Sequence, residues 1–340
     1  MLFAATLAVA PIAWAQVPTP GTELKLSVAV APAFPLGAAA KAWSDAMAAA
    51  PDGSIASKLH PGASLAQRDP QRELLALRDG AADLAVGSAL AWSAQLPALA
   101  VYALPWIAPE REDLDALVAS PAVAGELMRR SEAIGVVLLA LAPLGHRTLV
   151  TTSKAVRSPA DMKGLRIRAT GGPLVIESLM GLGARPEAMS FAQAQDALAA
   201  GRLDGQDGMA TGFVGARAAA TGYKHVLRWG AFGDAMLFAV RRAVWDGWTD
   251  AQRRVALDSA RKVAAAANAP AREAEAEKVL VALGMGETRL TRAGHAAFAE
   301  AVASARAART AAVGADLVTT AERAVADARA ARPPEAPVPR

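Results

Sequence analysis

Few residues in this chain are of a type and spacing suited to making or breaking bonds. The four histidines, His60, His146, His225 and His295, are scattered, and no two form the H-x-x-x-H pair that sets two imidazoles on one helix face for zinc. There is no G-x-S-x-G turn to raise a nucleophilic serine and no G-x-x-x-x-G-K-[ST] loop to cradle phosphate. Gly181-Leu182-Gly183 lacks the third glycine of a dinucleotide site. The carboxylates that stand close together, Glu110 with Glu112 and Glu273 with Glu275 and Glu277, lie in polar helical surroundings, where a solvated face accounts for them. The absence of cysteine excludes thiol catalysis, iron–sulfur ligation, thiolate zinc and a disulfide scaffold. With 36 Lys and Arg against 32 Asp and Glu the net charge is +4, and the tightest basic pairs are Arg129-Arg130, Arg241-Arg242 and Arg253-Arg254. Charge dispersed in this way leaves no footprint for a nucleic acid. A small anion remains open as a ligand, because one buried guanidinium suffices to hold it.

The elements that would position such a group follow an α/β rhythm. Residues 23–30 alternate, with Leu24, Leu26, Val28 and Val30 on one face, which predicts a strand. A Phe34-Pro35-Leu36-Gly37 turn leads into a helix over 38–49, and a second strand follows over 54–59. Pro70 opens a helix that Gly80 ends, and 83–86 is a short buried strand running into Gly87-Ser88. This β-α-β-α-β order with short connections is that of a parallel sheet covered by helices. Strands are expected again at 135–141, 147–151, 165–168, 226–229 and 235–240, with helices at 158–162 and 173–180. Two capping boxes, Ser190 with Gln193 and Thr249 with Gln252, start further helices. The second is long, over 250–283, and Pro270 should kink it. At about 150 residues per domain, 340 residues make about two domains. A hydrophobic share of 53% beside 20% charged residues argues against disorder.

The ends read differently. Residues 1–15 are apolar and uncharged, and Ala13-Trp14-Ala15 before Gln16 fits a small-x-small cleavage site, so they are expected to be a secretory signal peptide. The tail over 326–340, rich in proline from Pro333, is expected to be disordered. These patterns by themselves lead to an exported two-domain α/β protein.

The stretch SPADMKGLRIRAT over 158–170, with TTSKAVR before it, resembles the central motif of the DctP-type substrate-binding proteins of TRAP transporters. FPLG at 34–37 resembles that family's first loop, usually His-Pro-Leu-Gly. GASL and RELLALRDGAADLAVGS within 62–88, LPWI at 104–107, GHRTLVTTSK at 145–154 and AMSFAQAQDALAAGRLDGQDG at 188–208 match further blocks in order. The resemblance implies a periplasmic-binding-protein-like fold: two α/β lobes with a hinge, and a long kinked helix spanning both. With crossings near 144 and 232, lobe I takes 16–144 plus 233–270 and lobe II takes 145–232 plus 271–325. It further implies a monomeric periplasmic receptor that closes on a small organic acid and delivers it to the TRAP membrane subunits. Neither cofactor nor metal is expected, and no bond is made or broken.

The same resemblance implies the site. In the family an arginine ends the strand that here reads Leu165-Arg166-Ile167-Arg168 and pairs with the substrate carboxylate, a role that falls on Arg168; a second family arginine falls on Arg147. Period two places Arg166 and Arg168 on one strand face, so spacing alone leaves either at a solvent edge. Ser88 either donates to the ligand from the end of its strand or caps the next helix. Phe34, in place of the usual histidine, is expected on the cleft wall, and Trp229 and Phe232 lie near a lobe crossing, in the core or in the pocket. Where acid-binding members read Asp-Gly-Gln-Glu-Asn-Pro, this chain has Asp204-Gly205-Gln206-Asp207-Gly208-Met209. The family's substrate-contacting asparagine thus falls on Gly208, which removes a donor and opens space for Gln206 or Met209 to fill. Asp207 is expected to support its loop. The rival readings are an enzyme on the same lobes, which would need a histidine or carboxylate beside Arg168, and a receptor that signals to a membrane kinase.

Overall fold

The computed structural model describes residues 23–169, 172–215, 222–267 and 269–332. The expected signal peptide and residues 333–340 of the tail lie outside them. Among the described residues ten strands are interspersed with helices: β1 Leu24–Val28, β2 Ser57–His60, β3 Leu84–Ser88, β4 Val136–Thr151, β5 Arg166–Ala169, β6 Arg185–Ala188, β7 Gly205–Met209, β8 His225–Arg228, β9 Gly233–Arg241 and β10 Gly286–Arg289. The first half of the sheet runs β2-β1-β3-β9-β4 and the second β4-β7-β5-β6, with β8 on the other edge of β4 and β10 on β8. β1 is parallel to β2 and β3, and β5 to β6 and β7, as chains connected through helices require. All nine residues of β9 are buried.

β4 joins the halves. The sequence suggests two strands, at 135–141 and 147–151, but one strand of 16 residues runs through both. It pairs with β9 as far as His146 and with β7 from Arg147 onward. The break in apolar alternation at Pro143-Leu144-Gly145 is a register shift within the strand, where the proline removes a ladder N–H and Gly145 sits at φ 121°. β9 begins at Gly233.

The helix expected over 250–283 is two helices, Asp250–Ala266 and Ala269–Ala282. Pro270 is the second residue of the later helix, within the first turn where a proline's missing N–H costs no intrahelical bond. The first helix packs on β4 and on the Pro35–Ala48 helix, the second on β4 and the Ala210–Gly215 helix, so together they span both lobes. Glu277 on the second helix pairs with Arg228 of β8 at 2.7 Å and with Arg111 at the start of the Arg111–Ala119 helix, a charge bridge between the lobes.

The end of the chain departs from expectation. The last helix, Ala315–Ala330, runs through the first part of the expected tail and packs on the Arg111–Ala119 and Pro121–Glu132 helices of the first lobe. Arg329 Nε donates to Asp113 Oδ1 at 3.0 Å and Arg332 Nη2 to the same oxygen at 2.7 Å. Burial raises the carboxyl's cost of ionising, but the two arginines outweigh it and hold the Asp113 pKa below its ordinary value. An apolar face of Leu317, Val318, Ala321 and Val325, at helical spacing, anchors the segment that proline content alone assigned to a tail.

Candidate functional site

Between the two halves lies a cleft of about 750 Å³, walled by the chain after β1, the end of β3, the middle of β4, the end of β7 and the start of the Phe191–Ala199 helix. Arg168 and Arg147 both face it.

β5 delivers Arg168 to the wall at 3% exposure, beside Gln206 of β7. Its Nε donates to the Met189 carbonyl at 3.0 Å, and its guanidinium lies 5.7 Å from the centre of the Phe191 ring. Burial first, and then the neighbouring Arg147, lower its pKa to about 10, so it stays charged at neutral pH. Arg166, the other arginine that period two puts on that face, is half-buried and paired with Asp204 at 2.6 Å.

Arg147 follows the strand's register shift and is 4% exposed. Its Nε donates to Asp207 Oδ2 at 2.7 Å and its Nη2 meets the same oxygen at 2.5 Å. Burial opposes the charge, but Asp207 overrides it and lifts the guanidinium pKa. Asp207 is itself 0% exposed, so it supports the site by holding Arg147.

Ser88 is at the cleft and, of the two roles open to it, takes that of the helix cap. Its Oγ accepts from the Ala91 N–H at 3.1 Å as a helix cap and donates to Asp234 Oδ2 at 2.5 Å. Phe34 and Met209 line the cleft, and Phe34 meets Phe191 edge to face at 5.9 Å.

Three expected site residues do not line it. Gln206 is 0% exposed and accepts from the Tyr223 hydroxyl at 2.5 Å; by strand alternation it shares a face of β7 with Gly208, opposite Asp207 and Met209. Trp229 and Phe232 pack edge to face at 5.3 Å in the core, and Trp229 Nε1 donates to the Arg147 carbonyl at 3.2 Å. Nor does Gly208 open free space, because a Cβ there would stand 2.9 Å from the tip of the Phe213 ring.

Sequence reasoning missed Phe191, Phe213, Asp234 and Glu73, all on the wall. Phe191 was marked only by its place after the Ser190 cap. Asp234 accepts from the N–H groups of Leu90 and Ala235 at 3.0 and 2.8 Å as well as from Ser88, which uses its oxygens within the protein. Among the described residues no histidine lines the cleft. Glu73 is 0% exposed and accepts from Ser27 Oγ at 2.8 Å. Burial, only partly offset by Ser27 and Trp92, pushes its carboxyl up to about 8. This value lies above that of the unfolded chain, about 4.5, so the neutral acid favours folding below pH 4.5 and that contribution is lost as pH rises toward 8. Glu73→Gln is therefore expected to flatten the fall of melting temperature between pH 5 and 8 and to add on the order of a few kcal/mol at pH 8. Calorimetry across that range checks it, and an unchanged slope would contradict it.

Two hinged α/β lobes with a buried guanidinium in the cleft between them define a ligand-enclosing receptor. Residues 26–310 match the bacterial extracellular solute-binding protein family 7, DctP, and the chain belongs to that family. A TRAP periplasmic solute-binding protein from Ralstonia eutropha H16, crystallised with (S)-2-acetolactate, is 38% identical and superposes with a TM-score of 0.86 over 90% of this chain and 99% of that one. An uncharacterised protein, y4mM, of Sinorhizobium fredii is 33% identical over 55% of this chain and 34% of its own length. The 2,3-diketo-L-gulonate-binding periplasmic protein YiaO of Escherichia coli is 27% identical over 50% of this chain and 51% of its own. The chain thus spans between a third and two thirds of the length of the first curated relatives it matches.

Proposed function

We propose that this protein is the periplasmic receptor of a TRAP transporter. It is exported by its first 15 residues, acts as a monomer, closes on a small organic acid and hands it to the transporter's membrane subunits without chemical change. Arg168 holds the carboxylate, and Arg147, kept in place by Asp207, sets the electrostatic floor beneath it. One observation carries this reading: a charged guanidinium, 3% exposed, on the wall of a cleft that has the dimensions of a small-molecule site. A carboxylate brought out of water needs both oxygens met, and the guanidinium fork does this in one plane. The ligands of two relatives, acetolactate in the Ralstonia protein and the diketogulonate for which YiaO is named, support the acid class.

A panel of organic acids and their neutral amides, followed by thermal shift and titration calorimetry, tests the reading. A ligand at a hundred times its Kd adds about 2.7 kcal/mol to the native state. At least one acid is expected to raise the melting temperature while its amide does not. A shift produced only by neutral compounds would overturn the proposal.

A further inference from the structure

We propose that the cleft selects a monocarboxylate whose remaining substituent is apolar, branched-aliphatic or aryl, and that Phe213 sets this selectivity. The inference rests on reading the cleft as a carboxylate receptor and concerns what lies beyond the carboxylate.

Gly208 contributes no polar group, and the volume over it is taken by Phe213, whose ring tip would lie 2.9 Å from any Cβ there. Phe213 is 1% exposed and is braced edge to face by Tyr223 at 5.9 Å, so the ring is fixed as part of the wall. Around Arg168 the remaining surface is of the same kind: Phe191 at 5.7 Å from the guanidinium, Phe34 against it, and Leu144 and Met209 from β4 and β7.

Several polar side chains of that wall are already engaged within the protein, and Ser64, Glu73 and Thr211 line it as well. Ser88 donates its hydroxyl to Asp234, Arg147 is held by Asp207, and Ser190 and Gln193 bond to each other's backbone N–H. Arg68 and Asp196 line the cleft but are exposed to water. A polyhydroxy acid set against Phe34, Leu144, Phe191, Met209 and Phe213 gives up its water there, a cost incurred at each hydroxyl left unpaired. An apolar substituent gains from the same surface.

Titration calorimetry with 4-methyl-2-oxopentanoate, gluconate and the neutral 4-methylpentanamide tests this. The keto acid is expected to bind about 100-fold or more tightly than gluconate, the scale on which a site discriminates between groups it can and cannot pair. Phe213→Leu keeps an apolar anchor but clears the ring tip, and should narrow the ratio at least about threefold. Phe213→Leu with Gly208→Asn restores a donor and should narrow it further by raising gluconate affinity. Gluconate binding as tightly as the keto acid to the wild type overturns the inference and leaves the carboxylate reading intact. An unchanged ratio in both variants, each folded by circular dichroism, overturns the role of Phe213. Binding of neither acid overturns the inference, and binding of the amide as tight as that of the keto acid overturns the carboxylate reading and the inference with it.

Discussion

Replacing Arg168 by alanine is expected to weaken the binding of the bound acid about 100- to 1000-fold, from micromolar to around millimolar. A micromolar ligand has ~8 kcal/mol of binding free energy. Removing one partner of a buried, hydrogen-bonded charge pair costs ~3–5 kcal/mol, most of it because the other charge is left in the interior unmatched. Arg147 is not placed to take over, since two of its nitrogens are on Asp207. Arg168→Lys keeps the charge but loses the fork and the contact with the Phe191 face, so it should recover only part of the affinity. Titration calorimetry on both variants reads this directly. Full affinity in Arg168→Ala would mean that the carboxylate is held elsewhere.

The second large effect concerns stability. Asp207→Ala should lower the free energy of unfolding by ~3–5 kcal/mol, because it leaves Arg147, 4% exposed, without its counter-charge and next to a second guanidinium. Asp207→Ala combined with Arg147→Met should recover much of the loss, since replacing a buried pair by apolar groups is often near neutral. Urea denaturation of the two single variants and the double closes the cycle. If the double variant lost the sum of the single losses, the pair would not be acting as a unit.

The sequence made the lobes legible and the cleft only partly so, and the difference has physical causes. Strand alternation and helix boundaries are local: Ser190 with Gln193 and Thr249 with Gln252 form capping boxes wherever the rest of the chain lies, and both are present. The positions of Arg168 and Arg147 followed from a family motif, not from their spacing, which left Arg166 and Arg168 equivalent. What failed was long-range. Gly208 was read as space because nothing in the linear order says that Phe213, five residues on, folds back over it. Trp229 and Phe232 lie close to the crossing in sequence, yet they pack on each other in the core, where Trp229 also meets Phe298. Glu73 carries no mark in the linear order, and only its burial in the folded chain, which outweighs the hydrogen bonds of Ser27 and Trp92, makes it a neutral acid. β4 read as two strands because Pro143 and Gly145 imitate a turn that the sheet converts into a shift of register.

That register shift has a consequence for how the molecule comes apart. The polypeptide passes between its halves at β4, returns ahead of β9, and passes again through the paired helices on either side of Pro270. Neither half is an uninterrupted piece of sequence, so no single cut yields an autonomous fragment, and melting one half pulls on segments shared with the other. Heating the ligand-free protein in a scanning calorimeter should give one endotherm, its van't Hoff and calorimetric enthalpies in agreement, despite the two separate sets of packed layers.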